Sequence, residues 1–196
     1  MKVIERLILA SASPRRAELL RRCGIDFDVA PSDLDEPRIK PDGVAAAAWA
    51  EALAHFKARC VGDVNPNRWV LAADTIVTCA GALLGKPHDR DEAERMLEIQ
   101  ARQRGEVITG VCLVRVARHA RRMLTHEKTL VWMRDDRCER ERYLESGDWA
   151  GKAGAYGIQD VGDTLVRRIR GSFSNVVGLP VERLRRLIRR ADEAQF

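Results

Sequence analysis

The chain lacks any apolar run close to the roughly 20 residues needed to span a bilayer, and only 5% of its 196 residues are aromatic. Its first apolar stretch, "LILA" (7–10), is preceded by Glu5 and Arg6. That is too short for the core of a secretory leader, so Ala10-Ser11-Ala12 only mimics a cleavage site. Five cysteines, Cys23, Cys60, Cys79, Cys112 and Cys138, are odd in number, far apart and without a C-x-x-C pair. This argues against a zinc site or a disulfide frame and for reduced thiols, several of them buried as small hydrophobes. No internal repeat, low-complexity tract or composition break marks a linker. The expectation from these absences is a cytoplasmic protein with no membrane contact, folded as one domain over residues 1–196.

What is present describes a globular chain, with 45% hydrophobic and 32% charged residues. The net charge of +5 comes from 34 basic against 29 acidic residues. Much of the excess sits in "RRIR" (167–170) and "RLRRLIRR" (183–190). In the second run Val181, Leu184, Leu187 and Ile188 keep helical spacing, so its arginines form the wet face of an amphipathic helix. A nucleic-acid stripe is the weaker alternative, because no aromatic residues are interleaved with the arginines.

Strand-like and helix-like segments alternate along the chain. "SPRRAELLRRCG" predicts a helix capped by Ser13, opened by Pro14 and closed at Gly24. "VAAAAWAEALAHFKARC" (44–60) predicts a second helix and "DRDEAERMLEIQ" a third. "RWVLAADTIVTC" reads as a long buried strand turning at Ala80-Gly81 into a short return strand. "EVITGVCLVRVA" and "KTLVWMR" predict paired strands joined across "RHARR", and "RCERERYLES" a helix stopping at Gly147. A Gly-rich loop, the strand "TLVRRI" and a terminal helix complete the chain. Several neighbouring strands are joined by connections too short for a parallel crossover. The expected class is therefore α/β, with an elongated, twisted mixed sheet flanked by helices.

Two features point to chemistry. Arg15 and Arg16 fall in the first turn of a helix, where the dipole disfavours cations by roughly 0.3–1 kcal/mol each. Such a placement makes sense if a polyanion belongs there. Asp74 interrupts a run that otherwise reads as buried, and a carboxylate there is costly unless a cation, a metal or hydrogen bonds compensate. Around these, loops and strand ends supply further cations (Lys86, Lys152), the acidic loop with Asp33, Asp35 and Glu36, and the neutral amide of Gln159, while Lys57 adds a cation on the alanine-rich helix.

Taken in order, "LASASPRRAELL", "ADTIV", "LGKP", "ITGV", "KAGAYGIQ" and "SNVVGLPVERL" resemble the Maf family, the septum formation inhibitors, from about Leu7 to Leu187. The resemblance implies a nucleoside triphosphate pyrophosphatase with an inosine triphosphate pyrophosphatase-like fold: two lobes with the substrate in a central cleft. It also implies a divalent cation (Mg, Mn or Co) and a homodimer. On this reading Ser11, Arg15 and Arg16 hold the triphosphate, and Lys57, Lys86 and Lys152 neutralise phosphate charge. Glu36 and Asp74 face the metal and the attacking water, with Asp74 as proton acceptor. Arg15, Thr75 and Gln159 resemble the branch acting on dTTP, UTP and modified uridine triphosphates. The branch acting on 7-methyl-GTP typically has Trp, Gln and Glu there. A neutral amide offers a uracil edge both a donor and an acceptor. The chain departs from the family pattern at Ala101-Arg102 (Ser-Gly expected), Gly105 (His expected) and Asp160 (Gly expected). The alternative functions are a pyrophosphatase of 7-methyl-GTP or another modified nucleotide, and a non-enzymatic division regulator or nucleic-acid binder.

Overall fold

The computed structural model of the chain describes residues 6–32, 41–159 and 164–193. Its strands are β1 (Leu7–Leu9), β2 (Phe27–Val29), β3 (Trp69–Cys79), β4 (Ala82–Leu84), β5 (Gly105–Arg115), β6 (Arg121–Met133) and β7 (Val166–Arg170). Its helices are α1 (Pro14–Arg22), α2 (Ala46–Asp63), α3 (Arg90–Arg102), α4 (Arg137–Ser146), α5 (Phe173–Val177) and α6 (Val181–Glu193). The strands form one seven-stranded sheet in the order β2-β1-β3-β5-β6-β7, with β4 paired to β3. β1 runs parallel to β2 and β3, whereas β3–β4 and β6–β7 are antiparallel. The sheet is mixed, as the short connections required.

The chain divides into two compact units. One is built from Met1–Asp74, Thr109–Glu127 and Gly178–Phe196, the other from Thr75–Ile108 and Lys128–Val177. In the first unit, strand alternation sorts the core by face. Leu7, Leu9, Leu71, Ala73, Val111 and Leu113 pack against Leu20 of α1 and Leu184 and Leu187 of α6. Ile8, Val70, Ala72 and Cys112 pack against Ala54, Ala58 and Val61 of α2. In the second unit Leu97, Tyr143 and Leu165 are almost fully buried, and α3 packs on α4 and on a 3-10 turn at Ala153–Ala155.

Local signals place most boundaries. Pro14 opens α1 and Gly24, at φ +66°, closes it, with its N–H on Arg21 O and that of Ile25 on Leu20 O. Asp89 and Asp136 cap α3 and α4 by accepting from Glu92 N and Glu139 N. The hairpin turns at Ala80 and Gly81, both left-handed.

Three expectations need correction. Ser13 occupies the cap position of α1, but its side chain makes no cap hydrogen bond. α2 runs on past Cys60 to Asp63 through Gly62, where a Cβ would stand 2.9 Å from a Val116 methyl. β6 begins at Arg121, so the last residues of "RHARR" belong to the strand and not to the connection. Helix α3 ends without a glycine, Gln103 simply turning extended at φ −136°.

Candidate active site

Asp74 continues the row of β3 that holds Val70 and Ala72, so its side chain points to the face covered by α2. On α2 the inward stripe Ala50, Leu53, Ala54, Ala58 and Val61 also contains Lys57. The two periodicities meet. Lys57 Nζ donates to Asp74 Oδ1 at 2.5 Å, with Asp74 only 7% and Lys57 only 8% exposed. Either charge alone would be expensive at that depth, and each offsets the other's desolvation. The helix can come this close because of Gly110, in the "ITGV" segment of β5. A Cβ there would stand 2.3 Å from the carbonyl carbon and oxygen of Ala50, so no side chain is possible without moving α2.

The second cluster sits at the end of β1. Arg16 donates from Nε to Gly178 O at 2.8 Å and from its NH1 group to Ser11 Oγ at 3.0 Å. It ties the start of α1 to the segment just before α6. Arg15 is half-buried and bonds to no described residue. The adjacent arginines, both placed on the triphosphate by the resemblance, therefore differ: one is anchored and the other bonds to no described residue. Since Ser13 does not cap the first turn, side-chain capping leaves that turn's N–H groups to other acceptors, and Arg15 stands in the same turn.

Lys86, Lys152, Gln159 and Thr75 belong to the other unit. Lys86 is exposed just after β4. Gly85 O accepts from Gly154 N at 2.9 Å, which zips the Lys86 segment to the Gly-rich loop that carries Lys152. Lys152 is 7% exposed, and a Cβ at Gly157 would lie 3.1 Å from its Nζ. Gly157 is thus the space into which the lysine folds. Gly154, at φ +71°, is held by Gln100, whose Nε2 donates to Gly154 O at 2.7 Å. Beside this loop burial raises the pKa of the Tyr156 phenol. Gln159 is exposed at the end of the loop and Thr75 is half-buried on β3. Asp33, Asp35, Glu36 and Asp160 lie outside the described residues.

The positioning roles of Gly110, Gln100 and Asn175 were not anticipated from the sequence. Asn175 is fully buried, and its Nδ2 donates to Val107 O and Thr129 Oγ, each at 3.0 Å. The signals were the glycine of "ITGV" and the asparagine of "SNVVGLPVERL", and the meaning of each depends on which elements lie beside it.

Can these residues hold a divalent cation? Asp74 Oδ2 accepts no hydrogen bond from a described residue, so one hard oxygen donor remains beside the lysine-bound one. Among the described residues no cluster of three or more His, Cys, Asp and Glu forms a protein-only cage. That donor set fits an ion of the magnesium class, which takes one or two carboxylates and completes its shell with water and phosphate oxygens.

Comparison with known proteins places the chain in a family. The family model described as "Maf-like protein" matches residues 6–191. A protein of Symbiobacterium thermophilum named dTTP/UTP pyrophosphatase is 45% identical over 92% of this chain and 91% of its own length. One of the same name from Anaeromyxobacter dehalogenans is 44% identical over 95% of this chain and 94% of its own. Among solved structures, a HAM1 protein from Coxiella burnetii aligns at 17% identity and a TM-score of 0.45, over 66% of this chain and 73% of its own.

Proposed function

Because this chain belongs to the Maf-like protein family, we propose that it hydrolyses the α–β anhydride of a nucleoside triphosphate, preferring dTTP and UTP. The products are the nucleoside monophosphate and pyrophosphate. The observation that carries the reading is Asp74: a carboxylate at the end of an apolar row, with one oxygen held by Lys57 and the other open to a proton.

The reaction needs charge stabilisation and a positioned water more than covalent chemistry. Arg15, the first turn of α1, Lys86 and Lys152 neutralise the triphosphate, while Arg16 holds Ser11 in place. Water oxygen bonds to the α-phosphorus, its proton passes to the Asp74 carboxylate, and the bond to the bridging oxygen breaks with its electron pair leaving on pyrophosphate. Lys57 fixes the carboxylate's orientation throughout. A divalent cation held by Asp74, with Glu36 as the expected second carboxylate, supplies Lewis-acid neutralisation of phosphate charge when bound. For the base, Gln159 offers the uracil edge a donor and an acceptor, with Thr75 and Arg15 completing the preference. Homodimerisation and a cytoplasmic setting belong to the same proposal, as the family resemblance implies them.

The test is product identity. Turnover of UTP or dTTP with magnesium, manganese or cobalt should release pyrophosphate in step with monophosphate. Asp74→Asn, nearly isosteric and still able to accept from Lys57, should lower turnover at least about a hundredfold while the fold persists. Orthophosphate with a diphosphate left behind would refute the proposal, and so would near-parent rates in the Asn variant.

A further inference from the structure

The arginines of "RRIR" take no part in the chemistry above. They lie on β7, the terminal strand of the sheet, beside β6. The register sets Leu130 opposite Arg170, Val131 opposite Ile169 and Trp132 opposite Arg168, then jumps to Met133 opposite Val166. Arg167 is the extra residue of a β-bulge. A bulge sets two residues against one and re-aims a side chain. Here it brings both Arg167 and Arg168 beside Trp132, and the three line a hollow of about 240 Å³. The Arg168 guanidinium stands 5.3 Å from the centre of the Trp132 ring. Arg170, two residues on, shares the face of Arg168, about 7 Å along the strand.

All three arginines are exposed, Trp132 is half-buried, and none of the three pairs with a carboxylate among the described residues. Elsewhere in the same unit Arg90, Arg140 and Arg142 are paired with Glu141, Asp135 and Glu139. The nearby carboxylate of β5, Glu106, is taken by Arg104 and Lys128. Charge on an edge strand serves to block strand addition. That purpose accounts for the arginines and for a bulge on β7, but it does not call for a guanidinium set over an aromatic ring with a second arginine beside it.

We propose that this β6–β7 face binds single-stranded nucleic acid, with a base stacking against Trp132 and Arg168 and successive phosphates on Arg167, Arg168 and Arg170. Base faces are accessible only in a single strand, and a stacking aromatic beside a run of unpaired cations is the combination that uses them. An anionic lipid surface would satisfy the arginines but leave the indole without a role.

The experiment is titration of the full chain with a labelled oligouridylate of about 20 nucleotides, read by anisotropy and tryptophan quenching. Three phosphate contacts at ~0.7 each give an expected slope near −2 for log K against log salt. Arg167→Glu with Arg168→Glu should weaken binding at least about tenfold, and Trp132→Leu about fivefold or more. Trp132→Phe, which keeps a ring and the packing, should fall between Leu and the parent. Triphosphate turnover should match the parent in the double arginine variant. Several results would overturn the proposal: no salt-sensitive binding by the parent, displacement of the oligonucleotide by excess UTP, or tighter binding to a duplex of equal length. So would loss of binding in Arg185→Glu with Arg189→Glu on α6 but not in the β7 variant, or capture by anionic vesicles without capture by the oligonucleotide.

Discussion

Replacing Arg15 and Arg16 one at a time separates two properties that their adjacency conceals. Arg16→Ala deletes two charge-assisted hydrogen bonds, at 2.8 Å to Gly178 O and 3.0 Å to Ser11 Oγ. Bonds to a charged group contribute about 1.5–3 kcal/mol each when well shielded. Arg16 is only half-buried, so solvent replaces part of each bond. Removing a cation from the positive end of α1 returns about 0.3–1 kcal/mol. The net loss works out at about 1–2 kcal/mol, and for a chain of this length that lowers Tm by about 3–6 °C. Arg15→Ala breaks no bond to a described residue and removes the same helix-end repulsion, so its Tm should hold or rise by about 1 °C. Kinetically both should raise KM or lower kcat. Arg15→Ala should also change the preference among UTP, dTTP and GTP, whereas Arg16→Ala should weaken all three alike. Thermal melts and Michaelis curves on the two variants decide the matter. Equal stability loss in both would refute the assignment of anchor and gripping residue, and two kinetically silent variants would refute the triphosphate grip itself.

Lys57→Met should cost about 3–5 kcal/mol, because Asp74 is then buried without its cation, and adding Asp74→Asn should restore much of the loss. Chemical denaturation of the single and double variants reads that coupling. Gly110→Ala forces α2 off β5, so it should cost a few kcal/mol, on the order of other overpacked core sites, and should lower turnover by moving Lys57; parent-like melting would show that the contact is slack. The pKa of His55 is lowered by burial, and further by Arg122 and Arg59. The unfolded chain therefore takes up the proton first as pH falls through about 6.5, and stability should decline with acid below that point. His55→Gln should flatten Tm against pH between about 5 and 7, and an unchanged slope would count against the histidine.

The burial of two of the five cysteines illustrates how far local pattern carries. Cys79 and Cys112 sit in strands whose apolar runs already mark them as interior, and burial pushes the Cys112 thiol up to about 12. The same holds for Pro14, Gly24, Gly147 and the Ala80-Gly81 turn, where a residue's own φ preference or missing N–H decides its place. Helix and strand periods are short-range, so the mixed α/β class and most elements were legible. Boundaries slipped by a few residues, as at the end of α2, which runs to Asp63.

The sequence by itself determined which residue types stand where anions and a buried carboxylate belong: Ser11, Arg15, Arg16, Lys86, Lys152 and Asp74. Only the tertiary structure decided their partners. Lys57 and Asp74 are 17 residues apart and meet because a helical stripe and a strand row share one face. Arg16 is bound to Gly178 across 162 residues, so its structural share was invisible from the first turn of α1. Trp132 and Arg168 become neighbours through strand register and a bulge, which supply the aromatic that the basic run lacks in sequence. Periodicity fixes which way each side chain points along its own element. Which two elements face one another depends on packing over the whole chain, and no local window of residues contains that information.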